Sequence, residues 1–258
     1  MIQFSPIELS EIMYLRDEYL NEIKLSQELM LEWLINEGHC FIIQEDLEII
    51  GYFIKADDDY LLEFYLKYKF LTRKEEVFQL ILEQGFIKNA FCKSFDSVLL
   101  TCCHTFSKSN RIFGTIFRDY SPELNIEWDK DFQVRLATEE DMPRLLKYES
   151  ELYESPEELN FTVSNRMLHM FEKGGNLIGC GYLIHILPNR NFYDIGMWTN
   201  PEFRGQGYAK KIISYLKIHC LEYGYEPVCG CEVNNIASRK ALEANGFVSK
   251  HCILLFSF

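Results

Sequence analysis

Displacing the chain against itself by 130 positions brings FIIQEDLEIIGYFI (41–54) onto FEKGGNLIGCGYLI (171–184). Leu47, Gly51, Tyr52 and Ile54 then meet Leu177, Gly181, Tyr182 and Ile184. Each segment reads as strand, polar turn, strand. The same displacement sets IQFSPIELSEIMYL against FQVRLATEEDMPRL, a short strand entering a helix. It also sets VLLTCC (98–103), read as a strand, against VCGCEV (228–233). A repeat this long predicts two similarly built α/β halves, each large enough for its own core. The expected domains are 1–128 and 129–258, joined near Asn125 to Asp131.

One feature is not repeated. NPEFRGQGYAKK (200–211) follows a strand-like NFYDIGMWTN and runs into IISYLKIHCLEYG. Ala209, Ile212, Leu216 and Cys220 recur at spacings of three and four, and Gly224 is a stop signal, so the tail is helical. Gly205 and Gly207 then fall in the first helical turn. Glycine is a poor helix former, and two readings explain its presence. One is close packing at a tight turn. The other is an anion site, where free N–H groups and the positive end of the helix dipole meet a phosphate that no Cβ obstructs. Lys210 and Lys211 would add charge there. At the corresponding place the first half has Lys74–Glu75–Glu76–Val77–Phe78–Gln79, without glycine and with two carboxylates.

The formal charge of −13 argues against nucleic acid as the main partner. Residues 1–130 hold 13 Lys+Arg and 23 Asp+Glu, and residues 131–258 hold 13 and 16, so the half with the glycine motif is nearly neutral. The nine cysteines include no C-x-x-C, which fits reduced thiols; Cys229 and Cys231 lack further ligands at metal-binding spacing, and no metal is expected. No apolar run approaches the ~20 residues of a membrane span, and no secretory pattern opens the chain, so a cytoplasmic location is expected.

In the second half the expected order is strand and helix (132–153), hairpin (168–187), strand (192–199), glycine-led helix (204–223), strand (227–233), helix (235–245) and a last strand (247–257). With EFRGQGYA and NIASRKALEANGF in these places, the half resembles the GNAT superfamily of acyl-CoA N-acyltransferases. The family signature is Arg/Gln-x-x-Gly-x-Gly/Ala. Glu202 stands at its first position, and Arg204–Gly205–Gln206–Gly207 fill the rest. A second motif, Asn-x-x-Ser before a helix that ends in Gly-Phe, is matched by Asn235, Ser238, Gly246 and Phe247. The resemblance covers 131–258; the first half looks like a degenerate copy without the cofactor motif. The expected fold is therefore α/β, two tandem GNAT-like folds, each a mixed, mostly antiparallel sheet flanked by helices.

The resemblance implies acetyl-CoA as cosubstrate. Backbone amides from Gly205 through Gln206, Gly207, Tyr208 and Ala209 to Lys210 would cradle its pyrophosphate, beside Arg204. Met197, Trp198 and Thr199 would face the pantetheine arm, as would Asn235, which also reads as a helix N-cap beside Ser238. A substrate amine would attack the thioester directly in a ternary complex, with a base to free the amine and a donor for the thiolate. Many relatives use a tyrosine as that donor, where this chain has Leu242. Asp194 and Glu232 are the candidate bases; each also reads as a surface or salt-bridged carboxylate, and whether Tyr193 or Asp194 faces the cleft is open. His185 and His219 read as structural. Two other readings stand beside this one: an acyl-CoA-binding module without turnover, and a dinucleotide oxidoreductase, which Lys210 in place of a third glycine disfavours. The expected partner is a small-molecule or protein amine, with a homodimer as the assembly to test and neither nucleic acid nor membrane.

Overall fold

The computed structural model describes residues 1–123 and 132–258, so the junction expected at Asn125 to Asp131 lies outside the described residues. The chain divides into two compact units, Met1–Ile116 with Ser249–Phe258, and Phe117–Val248.

The amino-terminal unit contains strands β1 (Ile2–Ile7), β2 (His39–Glu45), β3 (Glu48–Lys55), β4 (Tyr60–Leu66), β5 (Asn89–Lys93) and β6 (Ser109–Phe117), and the chain's fourteenth strand, β14 (His251–Ser257). They lie in the order β1-β2-β3-β4-β5-β14-β6. Neighbours are antiparallel except β4 and β5, which run parallel. Helices α1 (Met13–Ile23) and α2 (Leu29–Glu37) cover the face that carries Tyr52 and Glu63. Helices α3 (Lys74–Glu83) and α4 (Ser97–Phe106) cover the other, packing Val77, Phe78, Ile81, Leu99 and Cys103 on Phe53 and Phe64. Each such buried side chain contributes ~1.5–3 kcal/mol.

Two expectations are corrected in this unit. VLLTCC lies within helix α4 and is not a strand. Asp96 caps that helix by accepting from the Leu99 amide at 3.1 Å, and Leu99, Cys102 and Cys103 bury one face at helical spacing. The true counterpart of VCGCEV is β5, displaced because α3 has 10 residues where the corresponding helix in the second unit has 15. The segment expected as one strand over 247–257 is split. Its larger part, β14, completes this unit's sheet between β5 and β6, where Phe256 is fully buried in the core.

The second unit has a sheet of β8 (Phe132–Leu136), β9 (Leu168–Lys173), β10 (Asn176–His185), β11 (Phe192–Thr199) and β12 (Glu226–Glu232), in the order β8-β9-β10-β11-β12. Only β11 and β12 run parallel. The hairpin expected over 168–187 forms, turning at Gly174–Gly175. Helix α7 (Tyr208–Glu222) packs Ile212, Ile213, Leu216 and Cys220 on one face of the sheet, with α8 (Ile236–Glu243) beside it. The helix expected up to residue 153 is broken. A four-residue helix α5 (Met142–Leu145), which holds Pro143, gives way to a turn and a loop, and α6 (Pro156–Ser164) follows. A small ladder of β7 (Asp119–Tyr120) and β13 (Phe247–Val248) is tied down by buried Lys217, whose ammonium donates to the carbonyls of Ser121 and Asn245. Each unit is thus a mixed, mostly antiparallel sheet flanked by helices.

His169 on β9 is 6% exposed, packed against Tyr215 and His219 of α7, and its Nδ1 has no hydrogen-bond partner among the described residues. Burial, reinforced by His219, pulls its pKa from 6.5 down to about 4. The unfolded chain therefore takes up a proton that the folded chain refuses. The stability present above pH 6.5 is lost as pH falls toward 4, by about 2 kcal/mol at pH 5. Urea unfolding at pH 7 and pH 5 should show that loss, and His169→Phe should reduce it; an unchanged acid limb in the variant would assign it elsewhere.

Candidate functional site

The site of the second unit begins where two strands part. β11 and β12 are in register at Phe192–Glu226, Tyr193–Pro227 and Asp194–Val228. β11 continues to Thr199 and β12 to Glu232 without a further paired position, which opens a V between them. Asn200 fixes the end of β11: 5% exposed, it donates to the Leu177 carbonyl at 2.9 Å and accepts from the Glu202 amide at 3.2 Å. Pro201 then starts a short 3-10 turn to Phe203. The Arg204 guanidinium folds back, donating to the Thr199 carbonyl at 3.0 Å and to the Glu151 carboxylate at 2.7 Å.

Gly205 and Gly207 lie at φ +76° and +83°, the left-handed region that side chains rarely adopt. Gly207 is the N-cap of α7, so the glycines precede the helix and do not lie in its first turn. A Cβ built on either would meet no atom within 4 Å. Close packing is therefore not why they are glycine. The backbone needs a positive φ, and the turn faces open space at the amino end of a 15-residue helix. Free amides and a helix dipole at an uncluttered turn suit an anion.

A cavity of about 470 Å³ joins this turn to the V. It is lined by Met197, Trp198 and Thr199 from β11, by Arg204, Gly205, Gly207, Tyr208 and Ala209 from the turn and α7, and by Asn235 and Ser238. Asn235 caps α8, its Oδ1 accepting from the Ser238 amide at 3.0 Å. Gln206 and Lys210 do not line the cavity, nor do Asp194 and Glu232. Asp194 marks the crotch of the V as the last residue in register, and Glu232 is exposed at the far end of β12. Tyr193 is held in a ring stack between His185, at 4.6 Å, and Tyr225, at 4.2 Å. His219 is stacked on Tyr215 and packs against Tyr223 with its ring tilted. Leu242, 1% exposed, belongs to the α7 core and offers no proton.

Glu151, Phe203 and Ala237 also line the cavity and were not foreseen. Phe203 and Ala237 sit inside the two motifs, where adjacency was a usable signal. Glu151 lies in a loop far from either motif in sequence, and only the Arg204 contact brings it in. Among the described residues no His, Cys, Asp or Glu group is arranged to hold a metal ion. None of the helices there is long and apolar enough to cross a membrane.

Comparison with known proteins agrees with the geometry. The model of an acetyltransferase (GNAT) domain matches residues 8–120, and that of the acetyltransferase (GNAT) family matches residues 122–247. The chain belongs to the GNAT acetyltransferase family and carries two of its domains in tandem. A GNAT-family acetyltransferase structure from Colwellia psychrerythraea is similar along the whole length, with a TM-score of 0.90 at 23% identity, covering 99% of each chain. A GCN5-related N-acetyltransferase from Sphaerobacter thermophilus gives 0.67 at 12% identity, over 99% of this chain and 94% of its own. A tandem GNAT protein from the clavulanic acid biosynthesis pathway gives 0.60 at 9% identity, over 100% and 98%. At these identities the likeness is one of fold. No curated protein matches the chain in sequence.

Proposed function

We propose that the second unit is an acetyl-CoA-dependent N-acetyltransferase that acts on a primary amine by direct attack in a ternary complex. The observation that carries this reading is the pair of left-handed glycines facing open space at the start of α7, at one end of the same cavity as the parted strands. Backbone amides from Gly205 to Lys210 would hold the pyrophosphate. Beyond Asp194 and Val228, the β11 edge through Met197, Trp198 and Thr199 has no strand partner from β12 and would receive the pantetheine amides. Asn235 and Ser238 close the other side of the cavity.

Acetyl-CoA supplies the activated acetyl group. The protein's part is to hold the thioester beside the acceptor, to exclude water and to place donors toward the developing oxyanion. Asp194, at the crotch but outside the cavity lining, would be the carboxylate to accept the amine proton, by way of water. With Leu242 buried where relatives carry tyrosine, the thiolate would take its proton from water. The family and the cavity support the transfer reading over a binding module.

Calorimetry with acetyl-CoA should return one site per chain. In the amino-terminal unit Arg73 precedes α3 as Gly207 precedes α7, but its φ is −105°, and its guanidinium is bound to Glu45 and Glu76. A panel of primary amines incubated with acetyl-CoA should release free thiol for at least one acceptor. Two equivalent sites would contradict the inactive first copy, and binding without turnover on any amine would favour the binding module.

A further inference from the structure

Among the described residues, the charged side chains that line the cavity of the second unit are Glu151 and Arg204, and they are bonded to each other. The Arg204 guanidinium donates to the Glu151 carboxylate at 2.7 Å, and the two side chains are 54% and 44% exposed. The Arg204 Nε donates to the Thr199 carbonyl, which holds the guanidinium at the end of β11 beside the turn of Gly205 and Gly207. The cation in the wall next to the anion-binding turn thus already holds an anion. The Glu151 carboxylate has no partner other than Arg204 among the described residues.

Glu151 is fixed in that wall from behind. Ser150 takes a left-handed φ of +64°, and its amide donates to the Tyr153 carbonyl at 2.8 Å. The Glu151 amide donates to the Tyr148 carbonyl at 3.2 Å. Leu152 and Tyr153 are buried in the core that includes Trp198, and the Leu152 carbonyl accepts from the Tyr182 hydroxyl. A left-handed serine persists where its surroundings over-determine the backbone, so the loop keeps a carboxylate at this point of the wall. A carboxylate is unfavourable in a wall that receives phosphate. It repels the ligand, and it occupies the guanidinium that would pair with it.

We propose that Glu151 is a competitor for the coenzyme's phosphate, holding Arg204 until a phosphate takes the guanidinium over. It thereby weakens the hold on acetyl-CoA and on the coenzyme A product alike. This inference rests on the acetyl-CoA reading of the cavity given above. Binding is an exchange of ion pairs on one guanidinium, carboxylate for phosphate. Breaking a half-exposed ion pair lowers affinity by a factor of about 1.5–5, and repulsion between the displaced carboxylate and the phosphate adds to it. An acyl carrier without phosphate has nothing that competes for Arg204. Glu151 therefore acts on the charge of the carrier and not on its acyl group.

The test titrates the unfolding midpoint of wild type and Glu151→Gln with acetyl-CoA, coenzyme A and S-acetylpantetheine, which carries no phosphate. The variant should bind acetyl-CoA and coenzyme A about 5-fold more tightly, with S-acetylpantetheine unchanged. In about 0.5 M potassium chloride the gain should shrink to less than about 2-fold, because salt screens both the ion pair and the repulsion. Arg204→Gln should weaken acetyl-CoA binding about 10-fold, and adding Glu151→Gln to it should gain less than about 2-fold. Unchanged or weaker acetyl-CoA binding in Glu151→Gln, or an equal gain for S-acetylpantetheine, would overturn the competitor while leaving the cavity's reading intact. Should Arg204→Gln not fold, those measurements on the single variant are sufficient. Wild-type protein that binds no acetyl-CoA would remove the reading of the cavity, and the competitor with it.

Discussion

Arg16→Met is expected to destabilise the amino-terminal unit by about 3–5 kcal/mol, the range found when one partner of a buried ion pair is removed. The guanidinium is 2% exposed and donates to both Glu32 and Glu63, while Tyr52 at 2.9 Å and Gln27 at 2.6 Å also donate to Glu63. Methionine fills comparable space but leaves two carboxylates in the interior with Lys93 as the remaining buried cation. They must then stay charged without a cationic partner or take up protons, and both outcomes lower stability. Arg73 provides the contrast. Its pairs with Glu45 and Glu76 lie at the surface and stay in partial contact with solvent, and Arg73→Met should cost no more than ~1 kcal/mol. Urea unfolding followed by Trp33, which lies on α2, reports on this unit. A loss below ~1 kcal/mol for Arg16→Met would mean that the network contributes little to stability.

Gly207→Val should weaken acetyl-CoA binding about 100-fold, the loss of one or two charge-assisted hydrogen bonds from the turn. It should also lower stability by about 1–2 kcal/mol, because valine must adopt a left-handed backbone. Helix propensity alone makes Gly to Val nearly neutral, and the overpacking cost predicted by a close-packing role does not arise, since the added Cβ meets nothing within 4 Å. Gly224, at the other end of α7, is the matched control. Its φ is +73°, a Cβ there also meets nothing within 4 Å, and it does not line the cavity. Gly224→Val should therefore show similar strain with unchanged affinity. Equal acetyl-CoA affinity in both variants would reduce the two loop glycines to a backbone requirement and remove the anion site.

What could be seen in the sequence was local. The hairpins announce themselves by alternation and a polar turn, RGQG by glycines where a helix should begin, and Asn235 by its position before a helical run. Three kinds of feature escaped. A fixed displacement cannot follow length changes, so Val98–Cys103 was matched to a strand and Gly51 to Gly181. The equivalent glycine is Gly179, which like Gly51 follows a bulge and approaches the next strand's carbonyl. Long-range encounters such as Glu151 with Arg204, or Arg16 with Glu63, leave no trace in spacing. The choice of a candidate proton acceptor was hardest. Asp194 and Glu232 were proposed from their strands, and only the register of β11 with β12 puts one of them at the crotch.

The strand β14 gives the chain an unusual order of assembly. A ribosome that has finished β6 has released nearly all of the first unit, yet the position between β5 and β6 is filled only after the whole of Phe117–Val248 has been made. Until then two strand edges stay open, the condition under which edge-to-edge association with other chains competes with folding. Expressing residues 1–116 alone would leave that gap permanently, so the first unit depends on a segment encoded far downstream of it.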